Sequence, residues 1–87
     1  MFRERPDLMN TITVYTRPGC VQCGAVQRAF AKAGMTYRTV DVSTDPDARD
    51  FVMALGYLQV PVVYAGPTRH FCGFRPDRIQ TLIAASA

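Results

Sequence analysis

Between Thr11 and Ala33 the apolar residues change their spacing, and that change restricts the folds open to this chain more than any other feature. Thr11-Ile12-Thr13-Val14-Tyr15 alternates, with Ile12 and Val14 on one side, which predicts a strand. Pro18-Gly19 stops it. From Val21 onward Val26, Ala29, Phe30 and Ala33 recur at helical spacing, and Gly34 follows as a C-terminal cap. Thr36 to Val42 is rich in β-formers and predicts a second strand. Two strands joined through a helix pair in parallel with a right-handed crossover. With 87 residues there is room for one domain of this kind.

The rest of the chain extends the pattern. Asp45-Pro46 reads as an N-cap followed by Pro at the first helical position. Ala48, Phe51, Val52 and Leu55 form the apolar stripe of a short helix that Gly56 closes. Val60 to Ala65 predicts a third, largely apolar strand. Gly66-Pro67 turns it into a fourth, about Arg69 to Cys72, which the short connection makes antiparallel. Pro76 opens a last helix that buries Ile79, Leu82 and Ile83. The expected order is β-α-β-α-β-β-α: an α/β domain with a four-stranded mixed sheet and three helices covering both faces. Residues 1–10 read as a flexible lead-in to a single domain at 11–87. Met9, just ahead of the first strand, stands beside Met1 as an alternative start of the native protein.

Composition excludes several classes. Hydrophobic residues make up 48% and charged residues 20%, the balance of a globular domain rather than a disordered tail. The longest apolar run, Val60 to Ala65, is far short of the roughly 20 residues that a membrane-spanning helix needs. Met1 to Asn10 holds neither the apolar stretch nor the cleavage site of a secretory signal. The cytoplasm is therefore the expected location. The net charge is +3, but the nine arginines are scattered, so no basic stripe points to nucleic acid. The mild positive bias instead favours acidic partners.

Three cysteines in the chain are too few for a disulfide-stapled scaffold, and their odd number leaves at least one unpaired within it. Cys20 and Cys23 stand two residues apart where a strand and turn lead into a helix. Unpaired N–H groups and the positive end of the dipole favour a thiolate there. Cys23 lies one turn further on, facing the same side. Such a pair suits two-step exchange, with Cys20 as the nucleophile nearer solvent and Cys23 as the resolving thiol. The alternative is half of a zinc site completed by His70 and Cys72. Those two stand in a strand rather than a knuckle, and the βαβ setting of the first pair favours redox chemistry.

Two further segments stand out. Pro61 opens an apolar strand, where its missing N–H is tolerated. A cis Val60-Pro61 bond would present the Val60 backbone beside the thiols, although only about 5–6% of X–Pro bonds are cis. In the segment His70 to Asp77, Gly73 permits close backbone approach or positive φ. Pro76 and Asp77 suit a helix start. A strand-to-helix turn anchored by Phe71 and Phe74 accounts for the same residues.

With Cys20-Val21-Gln22-Cys23, Val60-Pro61 and Gly73-Phe74-Arg75-Pro76-Asp77 in place, the chain from about Thr11 to Ile83 resembles the glutaredoxin-like NrdH-redoxins of the thioredoxin superfamily. The resemblance implies the thioredoxin/glutaredoxin fold and a thiol–disulfide oxidoreductase with no bound cofactor or metal. Electrons would come from the NADPH-dependent flavoprotein thioredoxin reductase and pass to class Ib ribonucleotide reductase. It implies Cys20 and Cys23 as catalytic residues and Pro61 as a cis-Pro. Val21, Gln22, Val60, Pro61, Gly73, Phe74 and Arg75 would face the partners. A monomer is expected, since both partners must reach one thiol face. Phe74-Arg75-Pro76 replaces the Gly-rich turn and acidic residue that meet the γ-glutamyl end of glutathione, adding bulk and positive charge and removing a backbone donor. Arg17 remains able to hold a glutathione carboxylate, so a glutathione-dependent glutaredoxin stays open beside the zinc module and a redox-dead domain. The family pattern Trp-Ser-Gly-Phe-Arg-Pro begins here with Phe71-Cys72. Cys72 is therefore either a small apolar residue in the core or an exposed thiol prone to mixed disulfides.

Overall fold

Ile12 and Val14 are buried on one side of strand β1 (Ile12–Thr16), which is why that strand lies inside the sheet. The computed structural model describes residues 12–86. The lead-in at 1–10 and the start at Met9 lie outside the described residues. The elements follow as α1 (Val21–Lys32), β2 (Tyr37–Asp41), α2 (Pro46–Ala54), β3 (Val62–Tyr64), β4 (His70–Cys72) and α3 (Pro76–Ser86). This is the order read from the sequence.

Both glycine caps are built as Schellman motifs. At the end of α1, Gly34 at φ +74° donates to Ala31 O (3.0 Å) and Met35 N–H donates to Phe30 O (2.9 Å). After α2, Gly56 donates to Met53 O and Tyr57 to Val52 O in the same way. At the start of α2, the Asp45 carboxylate accepts Ala48 N–H at 3.0 Å with Pro46 in the first turn.

The sheet runs β2-β1-β3-β4. β1 and β2 are parallel, with Val14 opposite Thr39. β1 and β3 are antiparallel, with Val14 opposite Val63, and β3 and β4 are antiparallel, with Val63 opposite Phe71. β3 is shorter than the apolar run that announced it. Pro61 has no N–H to give to the ladder, so pairing begins at Val62, and Ala65 N–H turns to Arg69 O at 2.7 Å in the hairpin.

The alternation of side chains sorts the core. Ile12, Val14, Val63 and Phe71 meet Val26 and Phe30 of α1 and Ile79 and Leu82 of α3 in one apolar cluster. Tyr15, Val62 and Cys72 form a row across the other face, and Tyr15 and Tyr64 there pack on Phe51 of α2. Val62 and Val63 are both fully buried, so β3 is covered on both sides. Among the described residues no helix is long and apolar enough to cross a membrane.

Candidate active site

Cys20 is the N-cap of α1, in extended conformation at φ −87° and ψ 107°. Its Sγ accepts the Cys23 N–H at 3.1 Å, so one of the unpaired amides at the helix start is aimed at the sulfur. Cys20 and Cys23 are joined in a disulfide with their Cα atoms 5.2 Å apart. The first turn of α1 carries no acidic residue to oppose negative charge on Cys20. The two sulfurs are unequally placed: Cys20 is half-buried and Cys23 is 2% exposed beneath it. Val21, between them, is 83% exposed and Gln22 is exposed as well.

The fold ties the two remote segments to each other and to the first turn of α1. Val60-Pro61 is a cis peptide, and Val60 makes no backbone hydrogen bond to another described residue. Pro61 is buried and its carbonyl accepts Gly73 N–H at 2.8 Å. Gly73 stands at φ +90°, which chooses between its two sequence readings: conformation, not crowding, asks for glycine. Phe74 N–H donates to Gln22 Oε1 at 3.3 Å, tying the segment to the first turn of α1. Arg75 and Asp77 form an exposed ion pair at 3.6 Å, a geometry that contributes little stability. Val21, Gln22, Val60, Pro61, Gly73, Phe74 and Arg75 thus lie in segments that the fold links to the dithiol. The Gln22–Phe74 bond spans 52 residues of sequence and has no local signal.

Cys72 falls between its two expected environments. It is the free cysteine of the described residues, half-buried on β4 opposite Val62. Its Sγ donates to Gln59 O at 3.4 Å, and burial pushes the thiol above its ordinary value of 9.0. His70 is engaged elsewhere: its Nδ1 is 2.7 Å from Tyr57 Oη, and its ring stacks on Tyr64 at 6.0 Å. The zinc alternative needed Cys20, Cys23, His70 and Cys72 together. Among the described residues no three His, Cys, Asp or Glu side chains converge to hold a metal.

A disulfide-forming pair at the first turn of the first helix, on a β2-β1-β3-β4 sheet with its cis-proline loop, defines a disulfide oxidoreductase of the thioredoxin fold. The glutaredoxin family profile matches residues 12–70. The glutaredoxin-like protein NrdH of Salmonella typhimurium is 47% identical over 72 residues, spanning 83% of this chain and 88% of that one. The gene 56 protein of Mycobacterium phage L5 is 38% identical over 77 residues, spanning 87% and 75%. The solved structure of the Escherichia coli NrdH-redoxin, described as a glutaredoxin-like protein with a thioredoxin-like activity profile, superposes with a TM-score of 0.77. It is 43% identical, over 83% of this chain and 93% of that one. The chain belongs to the glutaredoxin family, among its NrdH-redoxins.

Proposed function

We propose that the protein carries electrons from NADPH, through thioredoxin reductase, to a class Ib ribonucleotide reductase in the cytoplasm, acting as a monomer. The observation that carries the reading is the asymmetric pair: half-buried Cys20 with an amide on its sulfur, and buried Cys23 one turn behind. In the reduced protein the Cys20 thiolate attacks one sulfur of a substrate disulfide, and the first substrate thiol leaves with a proton. Cys23 then attacks the Cys20 sulfur of the mixed disulfide. The second substrate thiol leaves, and the Cys20–Cys23 disulfide closes. Two electrons and two protons pass to the substrate, and the reductase returns them.

The partner face in this reading is Val21, Gln22, Val60, Pro61, Gly73, Phe74 and Arg75. Exposed Val21 and Phe74 supply apolar contact, and the unpaired backbone of Val60 supplies a donor and an acceptor. Phe74 and Arg75 stand where a glutathione-dependent enzyme offers backbone donors and a carboxylate, which favours a protein reductant over glutathione. The thioredoxin-like activity profile of the Escherichia coli relative supports the same choice.

The test is NADPH oxidation coupled to reduction of an insulin disulfide. Turnover is expected with thioredoxin reductase and to be lost in Cys20→Ser, while Cys23→Ser accumulates the mixed disulfide. Equal or faster turnover with glutathione and glutathione reductase would overturn the assignment of the donor. Delivery to class Ib ribonucleotide reductase is read separately, as deoxynucleotide formation driven by the reduced protein.

A further inference from the structure

A groove of about 330 Å³ lies beside the dithiol, bounded by Arg17 before α1, Arg49 and Met53 on α2, and Tyr57, Leu58 and Val60 on the approach to β3. Arg17 also borders the depression around Cys20 and Cys23, so the groove and the reacting face share it as a common wall. No carboxylate belongs to its lining, and neither Arg17 nor Arg49 forms an ion pair with a described residue. Leu58 is 83% exposed and Met53 50%. One such residue alone is ordinary, but two in one groove that also carries two arginines ask for an occupant that is both apolar and anionic. Tyr57 gives the groove a fixed wall, because its hydroxyl is held on His70 at 2.7 Å. The volume is at the low end of the ~300–1,000 Å³ of ligand sites, room for a few side chains of an extended chain.

We propose that this groove docks an acidic, extended segment of polypeptide flanking the substrate disulfide. Its carboxylates lie between Arg17 and Arg49, and an apolar side chain covers Met53 and Leu58. The inference rests on the disulfide-reductase reading and adds the substrate class to it. Planar guanidinium groups bind carboxylates through paired hydrogen bonds, and charges at the rim of a contact act mainly on the rate of encounter. The groove therefore selects which disulfides arrive, while Cys20 and Cys23 perform the exchange.

The experiment is single-turnover reduction of two peptides by the prereduced full chain. Both peptides carry the same internal disulfide and flanking leucines, and differ only in having Glu or Lys beside them. Each turnover converts the protein dithiol and the peptide disulfide into the protein disulfide and a peptide dithiol, so no further reductant is needed. The parent protein is expected to reduce the Glu peptide about tenfold faster at low salt. Arg49→Glu is expected to invert that preference, and Leu58→Ser to slow both peptides. A charge-matched control at the far end of α1, Lys32→Glu, is expected to keep the parent's ratio. Equal rates for the two peptides, or an equal effect of Lys32→Glu and Arg49→Glu, overturn the inference and leave the reductase reading standing. Faster reduction of glutathione disulfide than of the Glu peptide overturns it too, since the groove would then serve a small anion. A parent protein that reduces neither peptide overturns both readings.

Discussion

Gly73 shows how one backbone angle fixes a residue. It stands at φ +90°, and a Cβ placed there would meet nothing nearer than Gln22 Oε1 at 3.8 Å, an ordinary contact. Gly73→Ala should therefore cost roughly 1–2 kcal/mol through backbone strain alone. An alanine variant that unfolds at the parent's urea midpoint would contradict this. Cys72 makes the complementary case, a residue whose neighbours decide its chemistry. Burial pushes its thiol up, so less thiolate is present at neutral pH than on an ordinary cysteine. In the oxidised protein Cys72 is the one thiol left of the chain's three cysteines. Its alkylation by iodoacetamide should be slower than that of a small free thiol at pH 7 and should keep rising past about pH 9. Labelling at the free-thiol rate would show the sulfur to be open to solvent. Cys72→Ser should leave peptide reduction at the parent rate, because the exchange uses only the other two cysteines. The cysteine pair and the glycine were visible as residue types. The half-buried setting of Cys72 was not, because it depends on Val62 and Gln59 across a strand pairing.

At the scale of elements, the capping signals carried within a few residues were realised, whereas the apolar run Val60 to Ala65 shortened to β3. Asp45 caps α2, and Gly34 and Gly56 close α1 and α2, because caps are settled by local hydrogen bonds. α2 has only nine residues, too short to persist unaided, so its cap matters. Asp45→Ala should cost about 1 kcal/mol and lower Tm by about 4–8 °C, whereas Asp45→Asn should retain most of it. Equal melting of all three proteins by far-UV circular dichroism would mean that the cap is dispensable. The contact between α1 and the Gly73 segment is of another kind. Gln22 reaches Phe74 N–H across 52 residues, and nothing near either residue foretells it. That bond is long and exposed, so Gln22→Ala should cost no more than about 1 kcal/mol in stability. In the proposed reaction its larger effect should fall on partner docking, read as a raised KM in the assay coupled to thioredoxin reductase with kcat retained.

For the whole molecule, connection lengths predicted the parallel β1–β2 pair and the β3–β4 hairpin, but not which of their edges join. The antiparallel β1–β3 contact is a long-range choice, and it places Tyr15, Val62 and Cys72 in one row beneath α2. That row gives the fold a collective response to alkali. Tyr15 is raised above its ordinary value of 10.0, first by burial and then by Tyr64, with Arg38 opposing and Asp45 adding a little. Cys72 is raised by burial alone. Both groups therefore hold their protons more tightly folded than unfolded, and the unfolded chain releases them first as pH rises. Their contribution is fully present below the ordinary thiol and phenol values and is lost as pH climbs through the raised folded values. The urea midpoint of the oxidised protein should be level from neutrality until pH nears the ordinary thiol value of 9.0, and should then fall as pH rises past the ordinary phenol value of 10.0. In the double variant carrying Tyr15→Phe and Cys72→Ser neither titrating group remains, so the fall should be shallower. The aromatic ring kept at that β1 position still packs against Phe51, which separates the loss of titration from a loss of packing. If the double variant loses stability with alkali as steeply as the parent, the titration that governs the fold lies in another part of the sheet. The row joined by the β1–β3 pairing would then have no part in it.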